Sequence, residues 1–486
     1  MQKSGDRMPD SITCIRRADW IVAWDDERRQ HYYLRNADMA FRDNTILFVG
    51  PAYTGRADRE IDGRGRLIIP GLINIHSHLG GGSIDKGVLD EAGAPALYGH
   101  ALYTHSPLLR PDERYTPAAA TAALCELMLS GVTTTVDISG IYPQWLDLMG
   151  ESGMRAVLGP GFRQARWVNV GDHRVEYDWD EEAGWKGLER ALGIAEEAAA
   201  HPSGRLSGLI IPSQADTCTA ELIQTAFKEA EERDLPFQIH AAQSMVEFYE
   251  ILRRHGVSPV QWLDQLGVLS ERTILGHCLY IDQHSWSPLR TEDDLQLLAD
   301  RGVTVAHCPT VFGRTGMTME TAGKYIREGV RLGIGTDSFP YNMFEELRHA
   351  AVYSRIVSGN VYDIRTADLF TAATVGGAEA LGREDIGRLR EGAKADFAVI
   401  DTDHPMMRPL HDPLRNLIYV AAERAVRDVY IDGRQVVDNG QVVTLDYTTA
   451  HASEDEAQLS AVEGIPELDR FGRTIEEIAP RCFEIK

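Results

Sequence analysis

Hydrophobic and polar positions follow different rhythms in successive parts of the chain. From residue 8 to about 66, short alternating runs such as ITCIRRADWIVAWDD and MAFRDNTILFVG are broken by polar turns. That period-two pattern predicts the strands of a small β-sheet domain, assigned to residues 1–66. Between residues 67 and 380 the rhythm changes. The short apolar runs LIIPGLINIHSH, GVTTTVDIS, MRAVLGPGF, LSGLIIPSQ, PFQIHAAQ, RTILGHC, GVTVAHCPT and VRLGIGTDS are each followed by a helix-compatible stretch, for example TAELIQTAFKEAEER or TEDDLQLLADRG. Repeated strand–helix alternation predicts a parallel sheet covered by helices. Eight such units in about 310 residues suit a (β/α)₈ TIM-like barrel with insertions. An open doubly wound sheet is the competing arrangement, but no Gly-x-Gly-x-x-Gly follows an early strand. Residues 381–445 return to strands, as in KADFAVIDTD and VRDVYIDGRQVV, and residues 446–486 are acidic and less patterned. The last segment reads as a helix and arm, either an oligomer contact or a frayed terminus.

The polar residues that end the barrel runs carry the chemistry, because barrel active sites sit at the C-terminal ends of the strands. The first run ends in His76-Ser77-His78, and residues i and i+2 of a strand project to one side. The fifth ends in His240, the sixth in His277, the seventh in His307 and the eighth in Asp337. Any one of these histidines reads as a hydrogen-bonded core residue. Together on one rim they have no packing rationale, and imidazole and carboxylate are the ligands a borderline divalent cation prefers. The expected cofactor is one divalent metal ion, Zn²⁺ first, with Fe²⁺, Mn²⁺ or Co²⁺ as alternatives. Asp337 taken alone also reads as a helix N-cap, since Thr-Asp-Ser follows a strand.

Charge and cysteine usage narrow the partners. With 49 basic and 73 acidic residues the formal net charge is −24, which repels phosphate backbones and anionic lipid. Nucleic acid and membrane are therefore not expected, and a small-molecule substrate is. The six cysteines form no Cys-x-x-Cys pair, and no apolar run reaches signal-peptide or membrane-spanning length. The expectation is a cytoplasmic protein with reduced thiols.

The ordered segments PGLINIHSH, QIHAAQ, LGHC, AHCPT and GTDS, with the closing segments KADFAVID and HDPLRNLIYVA, resemble the metal-dependent amidohydrolase superfamily. The resemblance is to its triazine hydrolase, chlorohydrolase and methylthioadenosine/adenosylhomocysteine deaminase branch, and it spans nearly the whole chain. It implies a barrel joined to a small β-sandwich built from both flanks, and a homo-oligomer. It also implies a mononuclear site in which His76, His78, His240 and Asp337 bind the metal. His277 would stand beside it and hold the water, with Asp337 carrying the proton. The fourth run, LIIPSQADTC, contains no lysine, which disfavours a lysine-bridged binuclear centre.

One departure shapes the expected reaction. Deaminases of this branch usually carry His-x-x-Glu at the fifth strand, and the segment here reads His240-Ala241-Ala242-Gln243. A glutamine cannot supply a proton, but it can donate a hydrogen bond to a carbonyl. The primary expectation is therefore hydrolysis of a non-peptide carbon–nitrogen bond in a small amide, urea or carbamate, with Asp337, His277 and Gln243 as the catalytic set. The alternative is hydrolytic deamination or dechlorination of a heteroaromatic ring. A non-catalytic binding barrel is disfavoured by the complete ligand set. Expected substrate contacts are Tyr98 and Tyr103 in the long loop after the first run, Arg163 and Trp167 after the third, Gln214 after the fourth, and His307 with Phe312 after the seventh. His100 and His105 share that first loop.

Overall fold

The computed structural model describes residues 11–99, 101–110 and 112–485. Its centre is a barrel of eight short parallel strands: β1 (Leu72–Ser77), β2 (Val132–Asp137), β3 (Arg155–Leu158), β4 (Leu206–Gly208), β5 (Phe237–Ala241), β6 (Thr273–His277), β7 (Thr304–His307) and β8 (Arg331–Ile334). Pairing runs continuously from β1 to β4 and from β5 to β8. The two halves are joined by isolated bridges, Ile210 to Phe237 and Gln214 to His240 on one side and Ser77 to Asp337 on the other. The last bridge closes the barrel: the Asp337 N–H donates to the His76 carbonyl at 2.9 Å, and the His78 N–H donates to the Asp337 carbonyl at 2.7 Å.

Helices follow the strands as the periodicity requires. Helix Ala220–Glu232 shows the logic. The Thr219 hydroxyl caps it by accepting from the Leu222 N–H, and Leu222, Ile223, Ala226, Phe227 and Ala230 form one buried stripe. Its charged face, with Glu221, Glu229, Glu231 and Glu232, is left to solvent or half-buried.

Both flanks join one nine-stranded sheet. Strand Arg66–Pro70 pairs antiparallel with Phe397–Asp401 and parallel with Ile12–Asp25. The sheet curls upon itself, so Phe41 meets Phe397 and Tyr430 at ring distances of 5.3 and 5.8 Å. The run LIIPGLINIHSH, expected as one strand, is two: Arg66–Pro70 belongs to the flank sheet and Leu72–Ser77 to the barrel. Gly71 is the joint, since a Cβ there would lie 2.0 Å from the Thr133 hydroxyl. An antiparallel hairpin, Ala165–Val170 with Arg174–Trp179, is inserted after β3 and was not expected from the pattern.

The terminal segment packs on its own chain. Helix Tyr447–Leu468 places Ala461 and Ile465 against Leu89, Ala92, Leu108 and Leu109 of the loop that follows β1. Five of the six cysteines are buried thiols, and Cys482 is exposed. No helix among the described residues is long and apolar enough to cross a membrane.

Candidate metal centre and substrate cavity

Strand-end geometry brings the predicted side chains together. Ligand atoms of His76, His240 and His277 lie within 4.8 Å of one another, as do those of His76, His78 and Asp337. One Asp337 carboxylate oxygen is 3.3 Å from His78 Nε2 and 3.8 Å from His76 Nε2. The other is 3.8 Å from His277 Nε2. The Asp337 backbone is left-handed, with φ of 59°, an uncommon conformation for a residue with a side chain. It turns the carboxylate across the barrel mouth while the backbone stays bonded to β1. Asp337 is not a helix cap: the next helix starts at Met343 and is capped by the Asn342 side chain.

The surroundings favour the neutral form of the imidazoles. Burial drives the His76 pKa well below its ordinary value, and neighbouring His277, His240 and His78 push it further down. Burial holds His240 at about 4. Its Nδ1–H donates to the Ser213 carbonyl at 2.6 Å, which leaves the Nε2 lone pair directed inward. His76 Nε2 is buried with no hydrogen-bond partner among the described residues. Gly276 makes room for that ring, because a Cβ there would sit 2.7 Å from His76 Cε1. A buried unpartnered ring nitrogen, neutral neighbours and one carboxylate are the donor set that a divalent cation satisfies. Burial raises Asp337 to about 6, against the opposing influence of His240 and Arg314.

His78, His240, His277 and Asp337 of this cluster line a cavity of about 560 Å³. Gln214, Gln243 and Phe312 line it, as expected from the sequence. Tyr98, Tyr103, Arg163, Trp167 and His307 are not part of its wall. Their roles are visible elsewhere. Tyr98 is exposed and stacks on Tyr249. Tyr103 is buried, and its hydroxyl bonds the Ser244 hydroxyl at 2.6 Å. Trp167 donates its indole N–H to buried Asp216 at 2.8 Å, anchoring the inserted hairpin. Burial lowers the pKa of Arg163. His307 is a buried strand-end histidine held at about 4 by desolvation. His105 is likewise outside the cavity wall, and His100 lies outside the described residues.

Gln243 is placed by a buried carboxylate. The Ala242 and Gln243 N–H groups donate to the two oxygens of Glu247 at 2.7 and 2.9 Å, and Ala242 is left-handed with φ of 53°. Burial and nearby Asp216 raise the Glu247 pKa well above the usual range. The Gln243 amide nitrogen is buried and has no partner among the described residues. Sequence reasoning missed Asp85 and the apolar wall of Ile84, Leu102, Ile141 and Phe339. Those residues come from loops whose course the local pattern does not encode. A signal for Asp85 was its position in the glycine-rich loop directly after His78.

With this geometry in place, comparison with known proteins is informative. The sequence profile of the amidohydrolase family matches residues 67–436. A 5-methylthioadenosine/S-adenosylhomocysteine deaminase of Natronomonas pharaonis is 31% identical over 436 residues, covering 88% of this chain and 94% of that protein. An adenosine deaminase of Xanthomonas campestris, solved with bound zinc, superimposes with a TM-score of 0.79 at 23% identity, covering 93% of this chain and 99% of that one. The atrazine chlorohydrolase of Arthrobacter aurescens, solved with zinc, gives 0.77 at 23% identity, covering 92% and 100%. The two structural likenesses speak for the fold, and the profile and sequence matches speak for descent: the chain belongs to the amidohydrolase family, enzymes that hydrolyse carbon–nitrogen bonds.

Proposed function

We propose that this enzyme hydrolytically deaminates an adenosine-like substrate, replacing the exocyclic amino group of the ring by hydroxyl. The observation that carries the reading is the near full-length relationship to the Natronomonas pharaonis deaminase, together with an intact histidine–aspartate cluster at the cavity. This reverses the order expected from the sequence, which put amide or urea cleavage first because of Gln243.

His76, His78, His240 and Asp337 would hold the metal, proposed to be Zn²⁺ from their nitrogen and carboxylate donors. When bound, such an ion supplies a Lewis acid that brings the pKa of water to about 7. The chain's own groups do the rest. Asp337 takes a proton from the attacking water and returns it to the departing amine. His277, 3.8 Å from the second Asp337 oxygen, orients the attacking water. The apolar wall excludes solvent from the ring, and Gln243 donates to an unprotonated ring nitrogen. We further propose that the enzyme works in the cytoplasm as a homo-oligomer, following the sequence expectation.

Gln243 keeps a second reading open: a substrate carbonyl would accept from its amide without any need for an acid. One experiment separates the two. Zinc-loaded enzyme is incubated with adenosine, methylthioadenosine and S-adenosylhomocysteine, alongside aryl ureas, anilides, thiocarbamates and chlorotriazines, and product masses are read. The expected product is an intact ring with hydroxyl in place of amino. A substrate split into an amine and an acid, with the nucleosides untouched, would establish carbonyl cleavage instead.

A further inference from the structure

Asp85 is a carboxylate of the cavity wall that the metal cluster does not use. It ends the short turn Gly82–Asp85 and lines the same cavity as His78, His240 and Asp337. No side-chain hydrogen bond reaches its carboxyl from any described residue, and burial pushes its pKa up to about 7. The nearest cationic influence is Arg314, whose guanidinium is already engaged. It lies 3.3 Å from Asp90 and sits over the Phe339 ring at 3.8 Å.

The backbone on either side of Asp85 is held from far away. Gln458 of the C-terminal helix donates its amide to the carbonyl of Ile84 at 2.7 Å and to that of Lys86 at 2.9 Å. Lys86 is in turn paired with Glu126. A half-buried acid with no hydrogen-bond donor to its carboxyl among the described residues, fixed on both flanks and facing the cavity, is a hydrogen-bond acceptor awaiting a donor.

We propose that Asp85 determines specificity by accepting a hydrogen bond from a donor group of the substrate away from the reacting ring carbon, and that Gln458 positions it. The donor chemistry is a hydroxyl or an ammonium, both of which a carboxylate binds with a charge-assisted bond. The inference rests on the ring-deamination reading above. It also gives the C-terminal helix a part in the site: without that helix the Ile84–Lys86 turn loses the contacts that hold it.

The test compares wild type, Asp85→Asn and Gln458→Leu, all zinc-loaded, at pH 8, where Asp85 is ionised. Four nucleosides are used: adenosine and 2′,3′-dideoxyadenosine, then S-adenosylhomocysteine and methylthioadenosine. Asp85→Asn is expected to raise KM by about 10- to 100-fold for the substrate that presents the donor, with kcat within about threefold. If the donor is a ribose hydroxyl, adenosine suffers and dideoxyadenosine does not. If it is an ammonium, S-adenosylhomocysteine suffers and methylthioadenosine does not. Gln458→Leu is expected to raise KM for the same substrate by a smaller factor, a pattern that a general loss of folding would not produce. Equal effects on all four nucleosides, or none on any, overturn the assignment while leaving the deaminase reading intact. A wild-type enzyme that turns over none of the four overturns the deaminase reading itself, and the Asp85 assignment with it.

Discussion

Gln243 offers the sharpest test of how this site handles protons. Its amide nitrogen is buried at the cavity wall with no partner among the described residues. A buried donor without an acceptor costs about 1–3 kcal/mol, which a substrate atom accepting from it recovers. At about 1.4 kcal/mol per factor of ten, Gln243→Leu is expected to lower kcat/KM by roughly 5- to 150-fold. Gln243→Glu asks a different question. Gln243 is buried, and burial disfavours the charged form of a carboxyl, so a glutamic acid at this position is expected to keep a protonated fraction into the neutral range. A positioned acid contributes roughly 10²- to 10⁴-fold. If protonation of the ring limits the wild-type rate, Gln243→Glu raises kcat on amino-substituted rings by about 100-fold or more. A chloro-substituted ring, whose leaving group needs no proton, stays within about threefold on the same argument. The assay is steady-state product formation on a matched amino and chloro pair at pH 6–8. Equal responses of both substrates to both substitutions would refute a proton-handling role for this position.

Other expectations are independent of the substrate. His240→Ala and Asp337→Ala each remove a proposed metal ligand, and bound zinc measured by plasma mass spectrometry should fall by more than about tenfold in affinity with unchanged far-ultraviolet dichroism; full zinc occupancy in either variant would remove that residue from the ligand set. Arg155 on β3 bonds Asp396 at 2.9 Å, and both side chains are almost fully buried between barrel and flank sheet. Asp396→Asn should therefore destabilise the protein by roughly 3 kcal/mol in urea unfolding, by leaving the buried guanidinium with one carboxylate, Asp432 at 3.0 Å, in place of two, with Arg155→Met plus Asp396→Leu costing less than the sum of the single changes. Burial beside Arg388 lowers His31 from 6.5 to about 4, so the unfolded chain takes a proton that the folded one refuses. Stability is expected to be retained above pH 6.5 and to fall by roughly 2 kcal/mol between pH 7 and 5, a slope that His31→Phe should flatten.

The cluster of strand-end side chains was readable from the sequence because strand periodicity is local and the rule placing barrel sites at strand ends is general. Those two facts group His76, His78, His240, His277, His307 and Asp337 on one rim before any coordinates are seen, and the family resemblance singles out His76, His78, His240 and Asp337 as the expected ligands. The same local pattern left Gly71 invisible as a joint, since apolar residues continue on both sides of it while the chain passes from one sheet to another. Cavity membership was harder still. Tyr103 and Trp167 carry the composition of a binding wall, yet their polar atoms are spent on Ser244 and Asp216. Asp85 carries no motif, yet it faces the cavity because its turn is held by Gln458, 374 positions from the Ile84 carbonyl it bonds. Sequence alone determined the barrel, the histidine–aspartate rim at its strand ends and the glutamine at position 243. Tertiary structure decided which loop residues meet in the cavity, because that depends on contacts between distant segments, whose closure no short-range pattern records.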